Sequence, residues 1–326
     1  MKGDFYFESN NEKNFNRKCR SWLIDAICNG RGGENIAHAE SASGNTVTIE
    51  NETVTENIVS GNSSTEDSSN NTINISGENT SINNSNTYAG QTSSGNATGN
   101  IINIWAGTIN SYVQSGNVGS GIASNNKLNI YGGNFTGGWV SGAYASGGIA
   151  RNNVLNIYGG TFNVQYIEGT WGSGTHENNI VNIYGGTING GILSGSWLST
   201  SGESSHNEVN ISGGSISNNT IAATYITNGG GTASNSVVNI SGDAVIKDSS
   251  IYGGWSPSGS AVNNIVNIYD NPTLEGSTLY AGVGVSSDSV ANNHLNIYTS
   301  GITAKNISGF QTLNFYMDQI VYLILM

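Results

Sequence analysis

A short motif, an aliphatic residue followed by Asn-Ile and then Tyr, Trp or Ser, returns along the whole chain and fixes what it can fold into. It occurs as Ile73-Asn74-Ile75-Ser76, Ile102-Asn103-Ile104-Trp105, Leu128-Asn129-Ile130-Tyr131, Leu155-Asn156-Ile157-Tyr158, Val181-Asn182-Ile183-Tyr184, Val209-Asn210-Ile211-Ser212, Val238-Asn239-Ile240-Ser241, Val266-Asn267-Ile268-Tyr269 and Leu295-Asn296-Ile297-Tyr298, with a degenerate copy at Val47-Thr48-Ile49. Successive copies are 26 to 29 residues apart. Alternation with period two puts the aliphatic residue and Ile on one face and Asn and the aromatic on the other, as a strand requires.

Each unit can be phased further. Gly-Gly usually follows, as at Gly132-Gly133, Gly159-Gly160 and Gly185-Gly186, and can supply the positive φ of a sharp corner. A second apolar position comes next (Ile109, Phe135, Phe162, Ile188, Ile216, Val245, Leu274), then a third (Val113, Val140, Ile167, Leu193, Ile221, Ile251, Leu279). A Gly/Ser/Asn-rich stretch of variable length closes the unit and ends in pairs such as Asn152-Asn153, Asn178-Asn179 and Asn263-Asn264. The unit therefore reads as strand, corner, strand, strand, loop.

One such unit buries too few aliphatic side chains to offset the entropy of ordering it. Stacked units succeed, because each apolar position packs over its copy at the strand spacing of about 4.8 Å. The pattern predicts an all-β fold, a parallel β-helix with three strands per coil, nine or ten coils and a length of about 45 Å. Helical repeats are excluded by the Gly, Asn and β-branched content of every unit. Propeller blades need roughly 40 to 50 residues, more than these units contain.

Composition agrees. The 326 residues include 46 Gly but only two Pro, which excludes collagen, and only 10% are charged, unlike ordinary disorder. Six of the ten basic residues, Lys2, Lys13, Arg17, Lys18, Arg20 and Arg31, precede position 45 and are matched there by six acids, so the remainder carries the whole net charge of −12. Such a surface repels phosphates, and nucleic acid is not expected as a partner. Cys19 and Cys28 both lie in the N-terminal segment, so the repeats must be held by packing and backbone ladders rather than disulfides.

The repeated Asn suits a ladder, each amide bonding to the copies above and below. The aromatics Trp105, Tyr131, Tyr158, Tyr184, Tyr269 and Tyr298 either stack on one another or offer a contact surface for a glycan or protein partner. Ser76, Ser212 and Ser241 interrupt that file, leaving Trp105 to Tyr184 as its longest unbroken run.

No catalytic, cofactor or metal constellation stands out. His38, His176, His206 and His294 are scattered, the Gly-Gly units lack the Asp of calcium-binding solenoids, and no phosphate-binding Gly loop occurs. The nearest approach to a catalytic cluster is Asp243, Lys247, Asp248, Asp270 and Glu275 on neighbouring coils. Paired carboxylates serve sugar-bond cleavage, so a polysaccharide lyase or hydrolase is the alternative to a non-enzymatic rod.

Residues 1–44 fall outside the repeat. They read either as a cap with a short helix over Asn16 to Cys28, covering the open first edge, or as a damaged export signal ending at Ala37-His38-Ala39. Residues 318–326 form a short apolar tail, too short to span a bilayer, that reads as a last strand or as the stump of a truncated chain.

Units of the type Asn-Asn-x-Val-Asn-Ile-Tyr-Gly-Gly-Thr-Ile-x-Gly-Gly, with the closing segment Asn306-Ile307-Ser308-Gly309-Phe310-Gln311-Thr312-Leu313-Asn314-Phe315-Tyr316, resemble the passenger regions of bacterial autotransporters, which are adhesin-like secreted proteins. The resemblance covers roughly residues 45–317. It implies a right-handed, pectin-lyase-like β-helix displayed at the cell surface or released, with adhesion to glycans or proteins or self-association as its work. Export in that family uses a C-terminal outer-membrane β-barrel, and no barrel-type strand pattern follows Tyr316. A truncated fragment without function is the remaining expectation.

Overall fold

The computed structural model describes residues 42–316 and, outside them, only the strand segments Ala26–Ile27, His38–Ala39 and Ile324–Leu325. Residues 42–316 wind into a parallel β-solenoid of about nine turns, and a 3-10 turn at Ser287–Ser289 is the only helical segment among the described residues. The tetrapeptides form one sheet of eleven strands, from Thr46–Glu50 to Thr312–Phe315. Every neighbour in it is parallel and in register, so Asn74 lies against Asn103, Asn103 against Asn129, and so on to Asn296 against Asn314. The last strand extends the expected series: Leu313-Asn314-Phe315 is a further rung, reached after a shortened coil of 18 residues.

The second and third strands of each coil make a sheet of 21 strands that bends around the other sides, its longest member being the 19-residue strand Thr187–Ser205. The corner into it is made by the second glycine of each pair, with φ of 109° at Gly133 and 105° at Gly160. The two apolar residues of the tetrapeptide and the second and third apolar positions point inward, with one exception. In one coil these are Leu155, Ile157, Phe162 and Ile167, each at most 2% exposed, and burying a side chain of this size stabilises by roughly 1.5–3 kcal/mol. Copies pack directly on copies, as with the Phe135 and Phe162 rings 4.6 Å apart. One assignment shifts by a residue: Ile246, not Val245, is buried and lies against Ile216, because the Ser241–Ala244 turn consumes one more position.

The expected Asn ladder is unbroken from Asn74 to Asn314, each side-chain amide donating to the carbonyl oxygen of the Asn one coil earlier at 2.7–3.0 Å. A second ladder is buried. In the Asn-Asn pairs that close the units the first residue takes a left-handed conformation, as at Asn125, Asn152 and Asn178 with φ of 55–56°, which Asn tolerates better than most residues. The second turns fully inside. Asn71, Asn100, Asn126, Asn153, Asn179 and Asn207 form this inner file, where Nδ2 and the backbone N–H of each of the first five donate to Oδ1 of the next. The second Nδ2 hydrogen goes to a backbone carbonyl of the preceding coil, such as Ala123 O for Asn153. All four hydrogen-bonding positions of the amide are thereby used, which is what allows it to be buried.

The N-terminal expectations fall largely outside the described residues. Within the stretch expected as a helix, Ala26–Ile27 instead pairs antiparallel with His38–Ala39. The export-signal reading and most of the tail also lie outside the described residues, while Ile324–Leu325 pairs in parallel with Thr303–Ala304. No helix among the described residues is long and apolar enough to cross a membrane.

Candidate functional site

The six candidate contact aromatics stand on the outer face of the eleven-stranded sheet in two files. Trp105, Tyr131, Tyr158 and Tyr184 stack with ring centroids 5.6, 5.0 and 4.9 Å apart and planes within 11° of parallel. Tyr269 and Tyr298 form the second file at 4.6 Å, which Tyr316 extends at 4.5 Å. The first four remain 44–50% exposed. Because each interior ring lies flat against its neighbours, its faces are covered and solvent meets mostly edges and phenol hydroxyls. Ser212 and Ser241 separate the files, as the spacing predicts.

A second aromatic surface, absent from the expectations, lies on the bent flank. Gln114, Ser141, Glu168, Ser194 and Ala222 occupy the same register position on consecutive coils. Two residues earlier stand Tyr112, Trp139 and Tyr166, and three residues later Asn117, Tyr144, Trp171, Trp197 and Tyr225. The two flanking files lean together: Trp139 and Trp171 have centroids 3.9 Å apart, and Tyr166 meets Trp197 at 5.4 Å. They roof the positions of Glu168 and Ser194, both of which are fully buried. Toward the N-terminal coils the roof opens into a cleft of about 350 Å³ lined by Tyr88, Tyr112, Trp139, Tyr144 and Trp171 with the amides Asn86, Gln114 and Asn117.

The roofed region concentrates unsatisfied polar atoms. Among the described residues seven buried side-chain atoms lack a hydrogen-bond partner, and five of them are Oε1 and Oε2 of Glu168, Oγ of Ser194 and Nε1 of Trp171 and Trp197. Burial without a partner pushes the Glu168 carboxyl well above the ordinary carboxylate range. The Tyr88 phenol is pushed up to about 12, first by burial and then by the neighbouring Tyr144 and Tyr112, so it too stays protonated. The sequence signal is faint: one acid within the strand Tyr166-Ile167-Glu168-Gly169-Thr170-Trp171, where the neighbouring copies carry Gln114, Ser141, Ser194 and Ala222.

Four of the five residues of the charged cluster, all but Asp243, hold an ion pair or a corner. Lys247 and Glu275 form an exposed ion pair at 2.7 Å, which raises the lysine and lowers the carboxyl from their usual values. Asp248 and Asp270 take left-handed corner conformations, and Asp270 accepts the Gly242 N–H at 2.8 Å. The histidines do not converge. His206 fills a left-handed corner held by Asn or Gly on the other coils, whereas His176 is buried with Nδ1 2.9 Å from Ser196 Oγ. Burial lowers the His176 pKa to about 3, so the ring is neutral. No group of three or more His, Cys, Asp or Glu suited to a metal ion occurs among the described residues.

No protein-family model, no curated protein and no solved structure matches this chain.

Proposed function

We propose that this chain is a non-enzymatic adhesive rod, displayed at the cell surface or released from it, as its resemblance to autotransporter passengers implies. The observation that carries the reading is the file from Trp105 to Tyr184, four large rings left about half exposed in one continuous strip. Contiguous exposed apolar surface of this kind marks interaction sites on soluble proteins. Since the ring faces are covered by one another, the strip offers edges and hydroxyls, which suit a protein surface or a second rod. The stacked coils keep these contacts in fixed array along the rod.

The test is binding of the purified chain to a broad array of host matrix proteins, whole cells and glycans, together with its self-association by sedimentation. Replacement of Tyr131, Tyr158 and Tyr184 by Ala is expected to abolish the binding while the coil remains folded. Absence of any binding, or binding unaffected by the triple replacement, would overturn the proposal.

A further inference from the structure

We propose that the flank cleft bounded by Tyr88, Tyr112, Tyr144 and Trp171 binds an uncharged saccharide chain lying along the rod axis. This rests on the adhesive reading and gives a ligand class to a second contact surface. Three observations carry it.

The first is ring geometry. Tyr112 and Trp139 are inclined by 58°, and Tyr144 and Trp171 by 40°, whereas the exposed file is stacked within 11°. Inclined rings leave faces uncovered, and the C–H face of a pyranose packs on such a face. The second is the lining. Besides rings the cleft has the amides of Asn86, Gln114 and Asn117, and no Asp, Glu, Lys or Arg. Amides both donate and accept, as sugar hydroxyls require.

The third is the set of unpartnered atoms at the closed end. Trp171 lines the cleft and has a buried indole N–H without an acceptor; Trp197 Nε1, Ser194 Oγ and the Glu168 carboxyl, likewise unpartnered, lie beside it on the same and the next coil, beyond the cleft lining. This set combines pure donors with groups that donate and accept. An ammonium ligand cannot accept from the indoles. A phosphate or uronate would need a cation that the lining lacks, on a chain of net charge −12. A saccharide hydroxyl accepts from the Trp171 indole N–H, the one member of the set on the cleft lining, and also donates to the lining amides.

Titration of the intact chain, followed by tryptophan fluorescence, tests this with neutral hexasaccharides of glucose, mannose and N-acetylglucosamine, and with hexagalacturonate and hexalysine as charged counterparts. At least one neutral hexasaccharide is expected to saturate, and the charged oligomers to bind more weakly. Tyr112→Ala should weaken binding about tenfold, and Tyr112→Phe, which keeps the ring, should stay within about threefold. Circular dichroism verifies that both variants are folded. No binding of any neutral oligomer, preference for a charged one, or indifference to Tyr112→Ala would overturn the proposal. Adhesion is measured on the same protein: adhesion without saccharide binding sinks this inference alone, and saccharide binding without adhesion sinks the adhesive reading alone.

Discussion

The regular face and the bent flank use the same kinds of side chain to opposite ends. On the eleven-stranded face each residue meets its own copy, so the Asn amides bond to one another and the Tyr rings cover one another. On the flank the copies differ from coil to coil, from Gln114 through Ser141 and Glu168 to Ala222, and there polar atoms go unpartnered and rings sit inclined. Repetition in register turns hydrogen-bonding and stacking capacity into stability. Departure from repetition leaves that capacity for something else.

The comparison breaks first at the inner ladder. Asn153→Leu removes an amide that joins Asn126, Asn179 and Ala123, and strands their buried polar groups. Each stranded group costs about 1–3 kcal/mol, so a loss of roughly 3–5 kcal/mol is expected by chemical denaturation. Asn239→Leu in the outer ladder, where Asn239 and its neighbours Asn210 and Asn267 are only partly buried, should cost about 1 kcal/mol per bond lost. Equal costs would mean that burial does not distinguish the two ladders.

A pH series sharpens the flank. His176 is neutral in the fold and titrates near 6.5 when unfolded, so its contribution is complete above that pH and is lost as pH falls from 6.5 toward 3. Glu168 works the other way: its proton is held more firmly in the fold, so its contribution is complete below 4.5 and is lost as pH rises through its elevated folded value. Between 4.5 and 6.5 the two slopes oppose, each about 1.4 kcal/mol per pH unit at most. Glu168→Gln should therefore raise Tm above pH 6.5, with the gain fading toward pH 4. His176→Ala, which places at this register the residue found at Ala150 and Ala123, should remove the acid-side fall. Parallel Tm profiles for wild type and variants would contradict both assignments.

In the exposed file, Tyr158→Ala removes two stacked contacts at 5.0 and 4.9 Å. At about 0.5–1.5 kcal/mol each the expected loss is roughly 1–3 kcal/mol. The natural serines at 212 and 241 show that the sheet itself tolerates the gap.

Nearly all of the regular face is legible in the sequence, because alternation and a constant spacing specify both the strand and its register. The copy at Leu313-Asn314-Phe315 escapes a search for 26 to 29 residue spacing since its coil is shortened to 18. The inner ladder is half legible. The Asn pairs are plain, but a pair does not say which member turns in, and that follows from the left-handed φ of the first. The cleft is illegible for a related reason: Trp139 belongs to one file and Trp171 and Trp197 to the other, five residues apart in phase, and only the bend brings the two files together. Conversely, the acids from Asp243 to Glu275 are close in sequence phase, yet corner conformations and one ion pair separate their roles.

The smallest effect is the most diagnostic. Tyr112 is 43% exposed and touches Trp139 through one inclined contact at 5.8 Å, so Tyr112→Ala should cost no more than about 0.5 kcal/mol in urea denaturation. Tyr158 is almost equally exposed, at 44%, and its loss is expected to cost several times as much. Exposure therefore cannot explain the contrast; it rests on whether a ring is held by copies of itself. A Tyr112 variant as unstable as the Tyr158 variant would show that the cleft rings also serve the fold, and would remove the reason to treat the flank as a surface kept free for a ligand.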